Sequence, residues 1–449
     1  EIDSDGERFG DETWRWHVFG GGEWEISPDW RWGFGIQRAS DDLHLRRYDF
    51  SEIDRDRGAP IEAGNRRLVS QLYVEGRTRR SYGALVAAEY QSLRELEDDD
   101  TIPTIAPMFS YERIFDAPGE WGRVNLSGHA VMLDRVTGTD YARGSVSVDW
   151  RAHWVTANGI VVEPYAYGRS DSYSFEDLPT TYPEPEDSFS RPLGLVGAEI
   201  SWPFYRPGST VDWIVEPIVS MVAASDDPES GRIFNEDSIS LDLDESLLFA
   251  PIRASGFDLW EPGQRVSYGV RATGQWGASG LASFFVGQSY RLDGDPVFSP
   301  GSGLFEERSD YIVAGSLEIA GFTADLQTRL DTADGNINRV DLGFGYVSDR
   351  FSGRISYLEV SDDNGTQSDQ REVRADFTAR LTDRWSAIGS TVRDIERGSS
   401  LLTTAGFRFA DECTELDIVY QREDDQIARL GPSESIQIRI TLFTLGGVA

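Results

Sequence analysis

Apolar side chains occupy every second position between residues 28 and 37, which read PDWRWGFGIQ. Successive side chains of a β-strand point to opposite sides, so this alternation predicts a strand with one apolar and one polar face. The apolar face meets either the core of a soluble β protein or the acyl chains of a membrane. Its residues are Trp30, Trp32, Phe34 and Ile36, and Arg31, Gly33, Gly35 and Gln37 lie between them.

The same alternation recurs along the chain and predicts about 21 strands. Clear examples are residues 123–132, 142–154, 372–381 and 436–442. Their polar faces mix arginine with carboxylates, which suits a hydrated surface where neighbouring strands pair opposite charges. The polar-face residues that we single out are Arg143, Asp149, Arg151, Arg374, Asp376 and Arg380, with Arg439 in the last strand.

The links between the predicted strands alternate strictly between short turns and long loops. A soluble sandwich also has a polar and an apolar face on each strand, so the links are the more informative feature. Tight turns on one side and long loops on the other are typical of outer-membrane barrels. Short turns fall near residues 25–29, 79–81, 154–158, 276–280, 319–321, 348–351, 382–384 and 410–413, and long loops near 39–66, 94–104, 172–192, 225–262, 292–309, 361–370 and 424–433.

Two prolines conflict with a regular ladder of strands. Pro164 and Pro217 lie inside predicted strands, where a proline cannot donate a backbone hydrogen bond and a closed barrel offers no free edge. Each proline therefore predicts a bulge at its position, or strand boundaries that are shifted by a few residues.

Composition narrows the possible partners. The 449 residues include 42 basic residues, all of them arginine, and 77 acidic residues, which gives a net charge of −35. Phosphate binding needs clustered basic residues, so this balance argues against a nucleic-acid partner. No apolar run reaches the roughly 18 residues of a membrane-spanning helix. The chain begins at Glu1 without Met, so we expect a processed or truncated piece of a longer protein.

The sequence carries no clear catalytic or cofactor-binding motif. None of the four histidines has metal-ligand spacing with a cysteine or another histidine, so we predict no metal and no other cofactor. His129 and His153 fall on the polar side of neighbouring predicted strands, where a serine–histidine hydrolase site is conceivable. No G-x-S-x-G motif accompanies them, and we therefore predict that the protein is not an enzyme.

Cys413 is the single cysteine, and it lies in the short predicted turn ADECTE. A lone cysteine cannot form a disulfide within its own chain. The short turns of an outer-membrane barrel face the oxidising periplasm, so Cys413 predicts a disulfide partner outside this chain. A chemically inert cysteine that fills space is the alternative.

Six stretches of the chain form a recognisable series. They are WGFGIQRASDDLHLRRYDF (32–50), IPTIAPMFSYERIF (102–115), NEDSISLDLDESLLFAPIRASGFDLWEPGQRVSYGVR (235–271), GQSYRL (287–292), ECTELDIVYQRE (412–423) and SESIQIRITLFTLGG (433–447). They resemble the LptD family, the lipopolysaccharide-assembly proteins of Gram-negative outer membranes. The resemblance spans nearly the whole chain in the order of the family, and the long central stretch is its most specific part.

The resemblance implies an all-β fold, a transmembrane antiparallel up-and-down β-barrel in the bacterial cell outer membrane. The family barrel has twenty-six strands and follows a periplasmic jelly-roll domain. With about 21 strands present, residues 1–449 are expected to be the barrel domain without its first strands and without the jelly-roll domain.

The resemblance also implies a function, which is to insert lipopolysaccharide (LPS) into the outer leaflet. In the family, lipid leaves through a lateral gate between the first and last strands, and sugar passes through the lumen. The implied partners are LPS, the outer-membrane bilayer, an LptE-like plug lipoprotein and the periplasmic LPS-transport bridge proteins. The last strand of that gate corresponds to Ser435, Ile436, Gln437, Ile438, Arg439, Ile440, Thr441 and Leu442.

Family members carry two adjacent cysteines near the last short turn, bonded to the N-terminal domain. Only Cys413 matches here, so the resemblance implies a disulfide from Cys413 to a domain outside this chain. The alternative function is another outer-membrane barrel transporter, either a porin or a gated uptake receptor. A less favoured alternative is an outer-membrane acyl hydrolase that uses His129 or His153.

Overall fold

The chain divides into two compact units. Unit 1 contains Glu1–His153, Pro164–Val196 and Asp227–Arg232, and unit 2 contains Trp154–Glu163, Gly197–Asp226 and Ile233–Ala449. Outside the described residues lie parts of four predicted loops, those near 39–66, 172–192, 361–370 and 424–433. Parts of three resembling stretches, 32–50, 235–271 and 433–447, also lie outside them. The structure, a computed structural model, describes residues 14–47, 59–62, 64, 66–94, 97–178, 188–238, 243–277, 280–361, 369–424 and 432–442.

Strands make up nearly all of the regular structure. Those of the first half are β1 (His17–Ser27), β2 (Trp30–Ala39), β3 (Arg67–Arg77), β4 (Ser81–Ser92), β5 (Thr104–Asp116), β6 (Arg123–Asp134), β7 (Asp140–Arg151), β8 (Trp154–Val155), β9 (Val161–Glu176), β10 (Ser188–Ser201), β11 (Phe204–Arg206) and β12 (Asp212–Ala224). Those of the second half are β13 (Gly263–Trp276), β14 (Gly280–Arg291), β15 (Tyr311–Ile319), β16 (Phe322–Leu330), β17 (Ile337–Val347), β18 (Phe351–Val360), β19 (Gln370–Arg380), β20 (Trp385–Asp394), β21 (Ser399–Ala410), β22 (Thr414–Glu423) and β23 (Ser433–Leu442).

Helices are short and few in the described part of the chain. The α-helices are α1 (His44–Arg47) and α2 (Glu245–Leu248), and the 3₁₀ turns are Asp99–Thr101, Ser230–Arg232 and Pro300–Ser302. Among the described residues, no helix is long and apolar enough to span a membrane.

The 23 strands belong to one sheet, and the pairs are antiparallel between strands that follow each other along the chain. Two strands, β8 and β11, have only two and three residues. The remaining 21 have nine residues or more, which confirms the predicted all-β fold and the number of long strands.

The predicted alternation of short and long links holds at most positions. The links at 28–29, 78–80, 320–321 and 411–413 are short, and the link at 225–262 is long. Strict alternation is wrong, however, because three links on the long-loop side are also short. These three links are 135–139, 331–336 and 395–398.

Side-chain hydrogen bonds close one of these short links. In the link 331–336, the Asp331 carboxylate accepts the backbone N–H groups of Ala333 and Asp334 at 2.6 and 3.1 Å. Gly335 then adopts a positive φ of 74°. Side-chain bonds of this kind reverse the chain within a few residues.

The two prolines lie where the ladder beside them is interrupted. Pro217 pairs regularly with Val270 on one side, but on its other side β10 ends at Ser201 and β11 begins at Phe204. The Pro217 carbonyl accepts the Trp202 N–H at 3.1 Å, and the Pro164 carbonyl likewise accepts the Ala152 N–H at 3.1 Å. The side of each proline that lacks an N–H therefore faces a break in the neighbouring strand.

Burial of the strand faces is inverted relative to a soluble β protein. On β7, the apolar Val146 is 58% exposed, whereas the polar Arg143 and Ser145 on the opposite side are 3% and 4% exposed. The same inversion occurs on β14, where Phe284 is exposed and Ser289 is buried. Exposed apolar surface on this scale marks contact with membrane or protein. We call the two sides of the sheet the apolar face and the polar face.

The aromatic ladder of residues 28–37 lies on β2 and continues onto β1. The rings of Trp24 and Trp32 stack with centroids 4.6 Å apart, and Trp24 also stacks on Phe34 at 5.8 Å. Trp24 and Trp32 are both exposed. The ladder therefore does not fill the core of this unit, and it belongs to the apolar face.

Candidate functional site: the polar face and the last strand

In unit 1, the polar face holds a buried network of charged groups. The Arg191 guanidinium of β10 donates to Asp171 of β9 at 2.8 Å and to Asp227 at 3.0 Å. Arg169 lies 3.0 Å from the same Asp171 carboxylate. All four side chains are at most 3% exposed. Strand alternation explains the placement of Arg169 and Asp171, since both point to the polar side of β9.

Aromatic rings surround this network. The Arg191 guanidinium donates to the Tyr173 hydroxyl at 2.9 Å and lies 5.3 Å from the centroid of the Tyr173 ring. Tyr173 stacks on Phe189, and Arg232 lies over the Phe189 ring at 4.7 Å. Rings and guanidiniums in this arrangement attract each other electrostatically, which helps to hold buried charge. The network thus fixes the strands of unit 1.

The polar-face residues predicted in residues 142–154 have different environments. Arg143 is buried and donates to the Tyr141 hydroxyl at 2.9 Å. Asp149 and Arg151 form an ion pair at 3.3 Å near the end of β7, where Arg151 is exposed. Since they lie on the same strand face two residues apart, their side chains are neighbours.

The predicted residues of β19 are all exposed. Arg374 lies 3.3 Å from Glu372 on the same strand. Asp376 is opposite Arg354 in register, although Arg354 itself bonds Asp325 at 2.6 Å. The Arg380 backbone N–H donates to the Arg350 backbone carbonyl at 2.8 Å. These groups share one side of the strand and are exposed, whereas the network around Arg191 in unit 1 is buried.

In unit 2, a long loop folds back onto the polar face. We call it the covering loop; it comprises residues 233–262, of which 239–242 are outside the described part. Leu243, Leu248 and Ala254 of this loop are buried against Phe285 of β14 and Ile312 of β15. Phe298, Leu304 and Ala314 complete this cluster. Packing of this kind makes the covering loop a fixed part of the unit.

Side-chain bonds to backbone groups shape the covering loop. The Asp237 carboxylate accepts the N–H groups of Phe257 and Asp258 at 3.0 and 3.1 Å, and Asp258 accepts the Glu236 N–H at 2.9 Å. Gly256 joins these segments with a φ of 73°, and a Cβ at this position would lie 2.5 Å from the Asp237 carbonyl oxygen. Only glycine fits there.

Ion pairs attach the covering loop to the strands. Glu245 of α2 accepts from Arg271 of β13 at 2.8 Å. Near the end of the loop, Glu261 is buried between Arg253, which donates at 2.8 Å, and Arg265, at 3.4 Å. Burial alone would raise the pKa of the Glu261 carboxyl, but Arg265 and Arg253 outweigh burial and hold that pKa below its ordinary value.

The lowered pKa of Glu261 predicts that acid loosens the covering loop. A carboxyl with a depressed pKa in the folded state stabilises the fold above its ordinary pKa of about 4.3 and loses that contribution as the pH falls further. We expect the protection of backbone amides in residues 243–262, measured by hydrogen exchange relative to the intrinsic exchange rate at each pH, to fall more between pH 6 and pH 3 in the parent protein than in Glu261→Gln. An equal fall in protection in both proteins would contradict this role of Glu261.

The four histidines lie at three places in the structure. His17 of β1 and His44 of α1, which are 27 positions apart, meet at 2.9 Å between Nδ1 and Nε2. His129 lies opposite Ser145 in register, but its Nδ1 is 3.4 Å from the Arg143 guanidinium. His153 follows the end of β7. In the described part of the chain, no group of three or more metal-ligating residues comes together.

Cys413 is exposed in the turn between β21 and β22. Its backbone N–H donates to the Asp411 carboxylate at 3.0 Å, which closes the turn and leaves the thiol accessible. The exposed position excludes the alternative of a buried filler. The disulfide to a domain outside this chain stays a prediction.

The last strand, β23, pairs with β22 in regular register. Ile436, Ile438 and Ile440 are between 63% and 73% exposed on its apolar face. On the polar face, Arg439 is paired in register with Asp417. The Asp417 carboxylate accepts a hydrogen bond from Arg408 at 2.8 Å.

Comparison with known proteins identifies the family. The family model described as LptD, LPS transport system D, matches residues 13–385. The chain belongs to the LptD family. It is therefore an LPS-transport β-barrel of the bacterial outer membrane, which confirms the predicted family, fold class and location. The apolar face of this LptD-family chain is the face expected to contact lipid.

Solved structures and curated proteins add little to this assignment. The siderophore receptors PirA from Pseudomonas aeruginosa and PirA from Acinetobacter baumannii share 9% and 8% identity with the chain, with TM-scores of 0.48 and 0.47. The alignments cover 94% and 95% of this LptD-family chain, and 76% and 77% of the receptors. Likenesses this weak decide neither fold nor function. No curated protein gives a significant match.

Proposed function

We propose that this LptD-family chain inserts LPS into the outer leaflet, with lipid leaving beside the last strand and sugar moving along the polar face. The observation that carries the proposal is the inverted exposure of the strands together with the family match over residues 13–385. Exposed Ile436 and Ile438 face acyl chains, and exposed charged residues of the polar face, such as Arg374 and Arg380, face water.

The last strand is suited to a lateral gate for a physical reason. On one side β23 pairs with β22 in regular register, and a closed barrel must join the other side of such a strand to its first strand. Within a bilayer, unpaired backbone groups are costly, and a weakly paired seam is where a barrel wall can open. We propose that Ser435–Leu442 forms one side of that seam.

The polar face is proposed to line the lumen. Arg374, Asp376 and Arg380 are exposed there and can contact a passing oligosaccharide, with Arg151 and Asp149 as a further pair. Arg143 is buried, so for this residue we propose a structural role in the wall. Opposite charges close together would limit how tightly any one arginine holds a phosphate.

The proposed partners follow from the same function. LPS reaches the barrel from periplasmic bridge proteins, an LptE-like lipoprotein occupies the lumen, and Cys413 bonds the preceding domain. The chain itself makes and breaks no bonds in this proposal.

Depletion of the full-length protein tests the proposed function. We expect LPS to accumulate on the periplasmic side while the uptake of small solutes stays normal, because the chain carries LPS and not small solutes. Surface LPS is measured by accessibility to an LPS-modifying enzyme, and solute uptake with a coloured substrate of a periplasmic hydrolase. Unchanged surface LPS with impaired uptake would instead favour a porin or a receptor.

A further inference from the structure

A cleft in unit 2 lies between the covering loop and the polar face of the sheet. Its volume is about 400 Å³, which is within the usual range of small-molecule sites. Its lining residues from the covering loop are Asp244, Glu245, Ser246 and Phe249, and those from the strands are Glu199, Ile218, Arg271 and Gln327.

Strand alternation places all four strand residues on the polar face. Ile218 is buried on β12, whereas Met221 on the opposite side of that strand is exposed. Arg271 of β13 pairs in register with Glu216, and Gln327 of β16 pairs with Ala314 of the buried cluster. The cleft therefore opens on the side where sugar is proposed to move, away from the acyl chains.

The charges of the cleft disfavour a phosphate. Three carboxylates and one guanidinium line it, and the guanidinium of Arg271 already bonds Glu245 at 2.8 Å and Glu216 at 3.2 Å. A phosphate needs free cationic donors, which this arrangement does not supply. Carboxylates instead accept hydrogen bonds from hydroxyl or amine groups, and the Gln327 amide can both donate and accept.

The remaining lining suits the less polar side of a sugar ring. Ile218 is buried, and the Phe249 ring packs edge-on against Phe285 with centroids 5.9 Å apart. Both residues are therefore held in place by the core beneath them. A site with an apolar surface and a few fixed polar groups orients its ligand and selects it by its hydroxyl pattern.

We propose that this cleft binds the saccharide part of LPS through its hydroxyl or amine groups and does not bind the phosphates. The inference rests on the proposed function, because LPS is the ligand, and it adds which chemical part of LPS is held and where. It gives the covering loop a role in transport, since that loop supplies half of the cleft.

Photo-crosslinking of the purified full-length protein in detergent tests the inference. A benzophenone amino acid replaces Gln327, and the probe is the labelled, water-soluble oligosaccharide released from LPS. Matched proteins carry the same group in place of Thr378 on the polar face of β19 or of Phe284 on the apolar face of β14. We expect the strongest adduct at position 327, a much weaker one at position 378, where the sugar only passes, and none at position 284.

Competition then decides the chemical class of the ligand. Unlabelled oligosaccharide should abolish the adduct at position 327, and inorganic phosphate at the same concentration should leave it unchanged. Protection by phosphate would overturn the assignment of a saccharide site, and equal adducts at all three positions would overturn the cleft itself. Absence of the adduct in a protein whose depletion still traps LPS would refute this inference alone and leave the proposed function intact.

Discussion

Replacement of Phe377 by arginine should destabilise the protein in a bilayer by about 2–4 kcal/mol, the cost of a cation on the lipid face of a barrel near the bilayer centre. Phe377 lies near the middle of β19, in register with Gly353 and Gly389 on the neighbouring strands, and is 44% exposed. In a soluble protein, a side chain this exposed would tolerate arginine at a cost below about 0.5 kcal/mol.

Thr378→Arg is the matched control for this prediction. Thr378 is the next residue of β19, is also exposed, and points to the polar face. Because that face is proposed to meet water, the same charge should change the free energy of unfolding by less than about 1 kcal/mol there. Urea unfolding in lipid vesicles measures both variants, and equal effects would contradict the assignment of the two faces.

Removal of the buried charge on Arg191 should have the second large effect. Arg191→Met should cost about 3–5 kcal/mol, because it leaves Asp171 and Asp227 buried without their main counter-ion. The Arg191 and Asp171 side chains are both 0% exposed, so water cannot replace the lost bonds. Tyr173 would also lose the hydrogen bond that its hydroxyl accepts.

Two further variants separate this effect from a general loss of charge. Arg397→Met removes an exposed arginine that pairs with Asp394 at 3.7 Å and should change stability by less than about 1 kcal/mol. Adding Asp171→Asn to Arg191→Met should recover part of the loss, since one stranded carboxylate becomes neutral. Unfolding in urea measures all three, and an Arg191→Met protein as stable as Arg397→Met would contradict the buried network.

Period-two patterns made the strands predictable from sequence. Alternation at residues 123–132, 142–154 and 372–381 corresponds to β6, β7 and β19, because a strand between two different solvents must alternate. Pro164 and Pro217 lie beside two of the interruptions of the ladder, since a missing N–H has a local consequence. Local rules were sufficient for these features.

Contacts between distant segments were not predictable in this way. Asp227 lies in a long loop, so nothing in its local pattern indicates that it meets Arg191 of β10. The contact between His17 and His44 depends on how a loop returns to β1, and spacing along the chain does not encode that. Strand periodicity also does not predict where the covering loop folds. The polar and apolar residues of the loop itself determine how the loop packs on the strands.

The arginines show the same contrast between what a local pattern predicts and what depends on distant segments. Alternation predicts Arg143 and Arg374 on the polar sides of their strands, but it could not distinguish the buried Arg143 from the exposed Arg374. That difference arises from the aromatic residues and charges that neighbouring strands contribute, such as Tyr141 beside Arg143. Only the exposed group is available to a passing ligand.

Accessibility of nitroxide labels along β19 is the most direct test that lipid meets one face and water the other. Labels are attached one at a time through Ala375→Cys, Asp376→Cys, Phe377→Cys and Thr378→Cys, with Cys413→Ser to remove the native thiol. Oxygen concentrates among acyl chains and a nickel chelate stays in water. We expect oxygen to reach positions 375 and 377 and the chelate to reach 376 and 378, and equal access of the chelate to all four would contradict a barrel wall here.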